Sequence, residues 1–178
     1  VYQAGDTSRL LVACYDNGDN SVRIYRKDFP DDTWTYVTAL TTNGATTVPS
    51  TGSCSPCLLQ LSSGRVLLYM WVEIGASETG FAVWYSDNDG GAWTAGGVVT
   101  PATLATADIL RLRVRAVEIG GNVALFVNYT DTTGAEDRQR IIQYASSDGG
   151  SSFVEIARTA GYSAVGDLES RASPDVVV

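Results

Sequence analysis

Three aromatic residues, Trp34, Trp93 and Phe153, stand 59 and 60 residues apart, and three tyrosines upstream of them, Tyr25, Tyr85 and Tyr144, keep the same step at 60 and 59. A fixed period of this kind marks a chain built from one repeated unit that stacks on its neighbours to bury a shared core. Other segments keep the register. Ser55-Pro56 returns as Ser173-Pro174, 118 residues or two periods later. The run Ser62–Tyr69 has counterparts in Gly120–Phe126 and Thr7–Val12.

Within each period the apolar pattern is short and β-like, broken by Gly, Asn, Asp and Ser: Arg9–Tyr15, Ser21–Arg26, Trp34–Thr38, Arg65–Val72, Phe81–Tyr85, Val123–Tyr129, Arg140–Tyr144 and Phe153–Ile156. Four short strands in about 60 residues is the size of one β-propeller blade. With strands lettered A to D from the axis outward, one repeat reads A Pro56–Leu61, B Arg65–Glu73, C Gly80–Ser86 and D Ala92–Val99. The next reads A Leu112–Ile119, B Val123–Tyr129, C Arg138–Ser146 and D Ser152–Arg158. The expected fold is all-β, with blades of four antiparallel strands. Strands B, C and D fall in 1–39, whole blades in 54–99 and 112–158, and a lone strand A in Arg171–Val178. Propellers close with roughly four to eight blades. These three blades' worth are therefore expected to belong to a larger ring, six-bladed or so, completed by further blades or by another protein chain.

Composition narrows the chemistry. The chain has no histidine, which excludes a Ser-His-Asp triad, a His-paired thiol and a His-ligated zinc within it. A net charge of −8 argues against nucleic acid, whose phosphates reward cationic surfaces. No apolar run reaches the roughly 20 residues of a membrane-spanning helix. Cys54-Ser-Pro-Cys57 has the spacing of a redox or metal pair but leads into a strand, where residues three apart face opposite ways. Buried, unbridged thiols are the expectation, with no metal and no cofactor.

The turns before the periodic aromatics carry the most specific motif. Ser146-Ser147-Asp148-Gly149-Gly150-Ser151-Ser152-Phe153 resembles the Asp box, Ser-x-Asp-x-Gly-x-Thr-Trp, of the sialidase-like (BNR-repeat) propellers. Ser86-Asp87-Asn88-Asp89-Gly90-Gly91-Ala92-Trp93 is a variant with Asn88 at the aspartate position, and Lys27–Trp34 keeps only Thr33-Trp34 and scattered aspartates. Asp or Asn pins a tight turn by accepting backbone N–H bonds, Gly supplies positive φ, and the aromatic ring packs between sheets. Ser86, Asn88, Gly90, Trp93, Ser146, Asp148, Gly150 and Phe153 are thus assigned to structure, with Trp93 and Phe153 buried on outer strands.

The resemblance places ligands at the opposite face, among the B–C loops (Asp16–Asn20, Ile74–Thr79, Thr130–Asp137) and the D–A loops (Leu40–Ser53, Thr100–Arg111, Thr159–Ser170). Arg111 and Arg171 hold equivalent positions there, and Arg113 and Arg115 follow Arg111 on the innermost strand. A guanidinium binds a carboxylate with two parallel bonds, so Arg111, Arg113 and Arg171 are candidate ligands for a carboxylate-bearing sugar. Arg113 and Arg115 can equally line a water-filled channel or pair with Glu118. A sialidase resemblance also implies an arginine triad, a Tyr nucleophile with a Glu partner and an Asp acid/base. Glu73, Asp16 and Tyr129, at the ends of B strands, are the catalytic candidates. However, Arg171 stands three residues before Pro174 rather than the family's two, and Cys54 occupies the corresponding place before Pro56. The resulting expectation is a non-catalytic module for glycan or surface recognition, or for structural assembly in a viral fibre, adhesin or filament. It would act outside the cell or on a cell or particle surface. The alternative is an exo-sialidase whose remaining site lies on blades outside this chain.

Overall fold

The computed structural model describes residues 2–4, 9–16, 18–31, 33–43, 46–47, 56–75, 78–99, 109–131, 138–158 and 162–163, and every regular element among them is a strand. Sheet 1 runs in the order β1 (Tyr2–Ala4), β2 (Arg9–Asp16), β3 (Ser21–Asp28), β4 (Thr35–Leu40). Two short strands, β5 (Thr42–Asn43) and β6 (Thr46–Thr47), join the edge of sheet 2. The rest of sheet 2 is β7 (Cys57–Gln60), β8 (Val66–Gly75), β9 (Glu78–Ser86) and β10 (Thr94–Val99). Sheet 3 is β11 (Ile109–Ile119), β12 (Asn122–Asp131), β13 (Arg138–Ser146) and β14 (Val154–Arg158), with β15 (Tyr162–Ser163) against the end of β13. All pairings among the described residues are antiparallel, most of them between chain neighbours joined by short turns, with β6 on β8 and β13 on β15 as the exceptions.

Four elements differ from expectation: β5 and β6 fall in the expected loop Leu40–Ser53, β15 falls in the expected loop Thr159–Ser170, and β1 is an added strand. Sheet 1 has a strand in front of β2, where Tyr2 pairs with Leu11 and Ala4 with Arg9, so this sheet has four strands rather than B, C and D alone. Three residues with no alternation leave no sequence signal for such a strand. The expected strand at Arg171–Val178 lies outside the described residues.

Sheet 2 lies between the other two, and its sequence says why. Val66–Val72 reads VLLYMWV and Phe81–Tyr85 reads FAVWY, with no polar residue in either run. A strand covered on one face alternates apolar with polar, whereas one covered on both faces reads as a continuous apolar run. Leu68, Met70, Val72, Ala82 and Trp84 pack with Val22 and Ile24 of sheet 1. Leu67, Tyr69, Phe81 and Val83 pack with Val114, Val123, Leu125, Val127, Ile142 and Tyr144 of sheet 3. Burying a side chain of this size contributes roughly 1.5–3 kcal/mol. The two intersheet layers therefore outweigh the surface ion pairs, at about 0–1 kcal/mol each. Polar ties reinforce the stacking. Glu118 of β11 accepts from the Ser62 amide (2.6 Å) and hydroxyl (2.9 Å) in the β7–β8 turn.

Candidate functional site

The two turns that resemble each other in sequence also share a common core of three hydrogen bonds. In sheet 2 the Ser86 hydroxyl donates to Asn88 Oδ1 (2.8 Å) and accepts from the Gly90 amide (2.9 Å), while Asn88 Oδ1 accepts from the Ala92 amide (2.7 Å). In sheet 3 the Ser146 hydroxyl donates to Asp148 Oδ1 (2.6 Å) and accepts from the Gly150 amide (2.9 Å), and Asp148 Oδ1 accepts from the Ser151 and Ser152 amides (3.0 and 2.9 Å). These bonds, led by those from Ser146 and then Ser152, hold the Asp148 carboxyl below the usual carboxylate range. Gly90 and Gly150 both have positive φ, +81° and +86°. A Cβ at Gly90 would lie 2.6 Å from Leu11 of sheet 1, and one at Gly150 would lie 2.5 Å from the Tyr69 hydroxyl of sheet 2. Each turn thus seats its glycine on the preceding sheet. Trp93 packs beside Leu11 and Val66, and Phe153 stands edge-on to Tyr69 at 5.8 Å. Both rings, expected to be buried on outer strands, are partly buried and packed against the core clusters.

The B–C connections lie at the opposite end of the sheets, since each strand crosses its sheet once. The first is a closed polar knot. Asp16 accepts from the Gly18 amide (2.7 Å), Asp19 accepts from the Ser21 hydroxyl, and Arg23 bridges Asp16 (2.9 Å) and Asp19 (3.0 Å). Bonds from Ser21 and then Arg23 keep the Asp19 carboxyl charged below its ordinary range. Asp16, a catalytic candidate, is here a turn-forming residue. Tyr129, the phenol candidate, is 3% exposed and belongs to the apolar layer between sheets 2 and 3. Its strand position made it look like a loop-end phenol, but alternation along β12 turns it into the core. Glu73 pairs through its backbone with Thr79 and Thr47; its side chain lies outside the described set. The three candidates belong to three different sheets.

Arg113 and Arg115 sit on β11 opposite Asn128 and Phe126, on the face of sheet 3 turned away from sheet 2. Arg115 donates to the Val114 carbonyl (3.1 Å). Both carboxylate oxygens of Glu118 are held by Ser62, so Glu118 serves the stacking of sheets. Arg111 lies in the backbone at a register shift between Leu110 and Arg113, which breaks simple alternation along the strand. Its side chain, Arg171 and nearly all of the D–A loops lie outside the described residues. Cys57 is a buried thiol, pushed up in pKa by desolvation, whereas Cys14 is exposed, contrary to the expectation of burial. Cys54 lies outside the described residues. Among the described residues no helix is long and apolar enough to cross a membrane, and no cluster of three His, Cys, Asp or Glu side chains is placed to hold a metal.

A repeated ion pair escaped the sequence reading. Arg65 holds Asp87 through Nε (2.6 Å) and Nη2 (3.0 Å) and lies over the Tyr85 ring, as Arg9 holds Asp28 (2.6 Å) in sheet 1. The signal was present, since Asp28 and Asp87 are themselves one period apart.

No protein-family model and no curated protein sequence matches the chain. Solved structures do. An α-L-arabinanase of Penicillium chrysogenum, complexed with arabinobiose, superposes with a TM-score of 0.63 at 16% identity, covering 86% of this chain and 47% of that one. The GH93 α-L-arabinofuranosidase of Fusarium graminearum, also with arabinobiose, gives 0.57 at 14%, covering 91% and 46%. A fucose lectin from Kordia zhangzhouensis in complex with methyl-fucoside gives 0.53 at 13%, covering 91% of this chain and 96% of that one. The chain spans about half the length of the two enzymes and nearly the whole of the lectin chain. The fold is that of a β-propeller, all-β and built from antiparallel sheets.

Proposed function

We propose that the chain is a non-catalytic, sialidase-like propeller module that recognises a glycan outside the cell or on a cell or particle surface. The two matched turns are read as Asp boxes of that family, a reading supported by their common hydrogen-bond pattern. The observation that carries the glycan reading is the shared fold. The similar structures include enzymes complexed with arabinobiose and a lectin complexed with methyl-fucoside. Asp16 is engaged in a turn and Tyr129 in the core, which favours recognition over catalysis on this chain. Arg113, with Arg111 and Arg171, is proposed to receive the acidic group of a carboxylate-bearing sugar.

The test is a glycan array followed by calorimetry with the best ligand, comparing neutral sugars (arabinobiose, methyl-fucoside) with a sialoside. Binding of an acidic glycan, weakened roughly 10- to 100-fold by Arg113→Ala, is the expected outcome for a lost charge-assisted contact. Unchanged affinity in that variant removes the arginine from the site. A hydrolytic reading is favoured by the TM-score of 0.63 to the arabinanase. It becomes the better one if the protein releases arabinose from arabinobiose, or cleaves a fluorogenic sialoside, and Arg113→Ala abolishes the turnover.

A further inference from the structure

The outer strand of each sheet carries one extra residue at the same place. In sheet 1 Tyr36 faces Tyr25 and Thr38 faces Ile24, so Val37 has no partner in β3. In sheet 2 Ala95 faces Trp84 and Gly97 faces Val83, which leaves out Gly96. In sheet 3 Glu155 faces Tyr144 and Ala157 faces Gln143, which leaves out Ile156. Each is a β-bulge, two residues set against one. Val37, Gly96 and Ile156 lie 59 and 60 residues apart, the period of the chain. The shifts at Glu73–Gly75 and Leu110–Arg113 show no such recurrence among the described residues.

The three extra residues are a partly buried valine, a glycine and an exposed isoleucine. What recurs is a backbone event rather than a side chain, so its role belongs to the backbone. That backbone is an edge: β4, β10 and β14 each end the strand order of their sheet. An edge strand presents unpaired N–H and C=O groups to any other edge, and proteins blunt it with charge, proline, a very short strand, a covering segment or a bulge. At five or six residues these strands are of ordinary length. Neither β4 (TYVTAL) nor β10 (TAGGVV) contains a charged residue or a proline. β14 has Glu155 and Arg158 but exposes Val154 and Ile156, at 68% and 59%. These edges favour pairing, and the bulge is the countermeasure common to all three.

We infer that the three bulges keep the outer edges from pairing with the outer strand of a second copy of this chain. A bulge bends its strand and increases the local twist. Each edge is thereby divided into runs of two or three ladder residues on either side of the extra one. No straight ladder longer than that can form along it. Each sheet carries this protection by itself, whatever the number of sheets and whatever the ligand.

Deleting the extra residue separates this role from a structural one, because every other pair can keep its partner. Without Gly96, Ala95 still faces Trp84 and Gly97 still faces Val83, and no side chain is lost. The Gly96 deletion should associate as its concentration rises, with a mean mass by light scattering at least about twofold that of wild type at the same concentration. Adding Ala95→Lys to the deletion puts a charge at an exposed position on that edge and should return the mass to the wild-type value. Circular dichroism checks that the strands persist. Deletion of Ile156, an exposed residue in a different sheet, serves where the first deletion does not fold, and should also associate. A folded deletion protein whose mass follows wild type at every concentration overturns the inference, even if it melts earlier, since the bulge would then serve only the shape of its own sheet. Association that Ala95→Lys leaves unchanged overturns it too, because misfolded protein, unlike a paired edge, is not dispersed by one edge charge.

Discussion

The C–D turns of sheets 2 and 3 are fastened to the sheet before them, whereas the corresponding turn of sheet 1 has no such neighbour among the described residues. The difference is written in their residues. Gly90 and Gly150 leave room for Leu11 and Tyr69, but Asp31 holds that position in the first turn, and Lys27 stands where Ser86 and Ser146 organise the other two. Asp89 and Gly149 both adopt positive φ (+55° and +70°), while Pro30, which follows a cis peptide bond, occupies that place in the first turn. Turn closure alone does not demand a glycine at the fifth position. Docking on a neighbouring sheet does, and the motif degenerates where that demand is differently met.

Gly150→Ala should break the comparison most sharply. Its φ of +86° strains any L side chain, and the new Cβ meets both the Tyr69 hydroxyl at 2.5 Å and Leu67 at 2.8 Å. Strain of about 1–3 kcal/mol and overpacking of about 1–3 kcal/mol add to roughly 2–6 kcal/mol of lost stability. Gly90→Ala, at φ +81°, meets one neighbour, the buried Leu11 side chain (Cδ1 2.6 Å, Cδ2 2.7 Å), and should lose less than a change that meets two. Asp31→Ala, exposed and unconstrained by a neighbour, should change stability by no more than about 0.5 kcal/mol. Urea denaturation of the three variants gives the order, and an Asp31→Ala loss as large as that of Gly150→Ala would contradict the docking argument.

Ser146→Ala is the next largest. The Gly150 amide is buried and has the Ser146 hydroxyl as its acceptor. Removing that oxygen strands the donor and also frees Asp148, for a loss of about 1–3 kcal/mol. Ser86→Ala should lose a similar amount through Gly90, whose amide has the same partner. A Ser86→Ala loss near zero would show that the two turns, alike in geometry, are unlike in energy.

How far the sequence could be read follows from the same contrast. The period, the strand types and the two turns were legible because each depends on local chemistry: alternation, positive φ, a side chain capping its own turn. Tyr129 was misplaced because its role depends on which face of its B strand turns toward a neighbouring sheet. That is a tertiary fact, and one residue of register decides it. Glu118 was read with its nearest arginines, while its partner Ser62 lies 56 residues away across a sheet boundary. The three-residue strand Tyr2–Ala4 carries no pattern at all.

Acid separates the two docked turns, because Asp148 titrates and Asn88 does not. The Asp148 carboxyl is held below its ordinary range in the folded chain, mainly by Ser146 and Ser152. The unfolded chain, at roughly 3.9, therefore takes up its proton first as pH falls. The contribution of this group is fully present above about pH 4 and is lost progressively below it. Asp148→Asn, which copies the sheet 2 turn, should flatten part of the fall in melting temperature between pH 5 and about pH 2.5. Asn88→Asp should steepen it. Parallel melting curves for wild type and Asp148→Asn across that range would remove the carboxylate from the account.

The smallest effect concerns the ion pairs beside the turns. Arg65 grips Asp87 with two bonds and Arg9 grips Asp28, but in sheet 3 the equivalent positions are Asn122 and Ser147, which cannot form such a pair. Sheet 3 stands without the pair, so the pair is not what holds a turn in place. Asp87 is well exposed, and a pair in that setting contributes about 0–1 kcal/mol. Arg65→Ala should accordingly lose no more than about 1 kcal/mol, part of it from the guanidinium lying over Tyr85 and so insensitive to salt. Installing Asn122→Arg with Ser147→Asp should gain no more than about 0.5 kcal/mol, and 0.5 M salt should erase most of that gain. A gain of 2 kcal/mol or more from the double substitution would show that charge pairing, rather than the seating of glycine on the sheet before it, sets the strength of each turn.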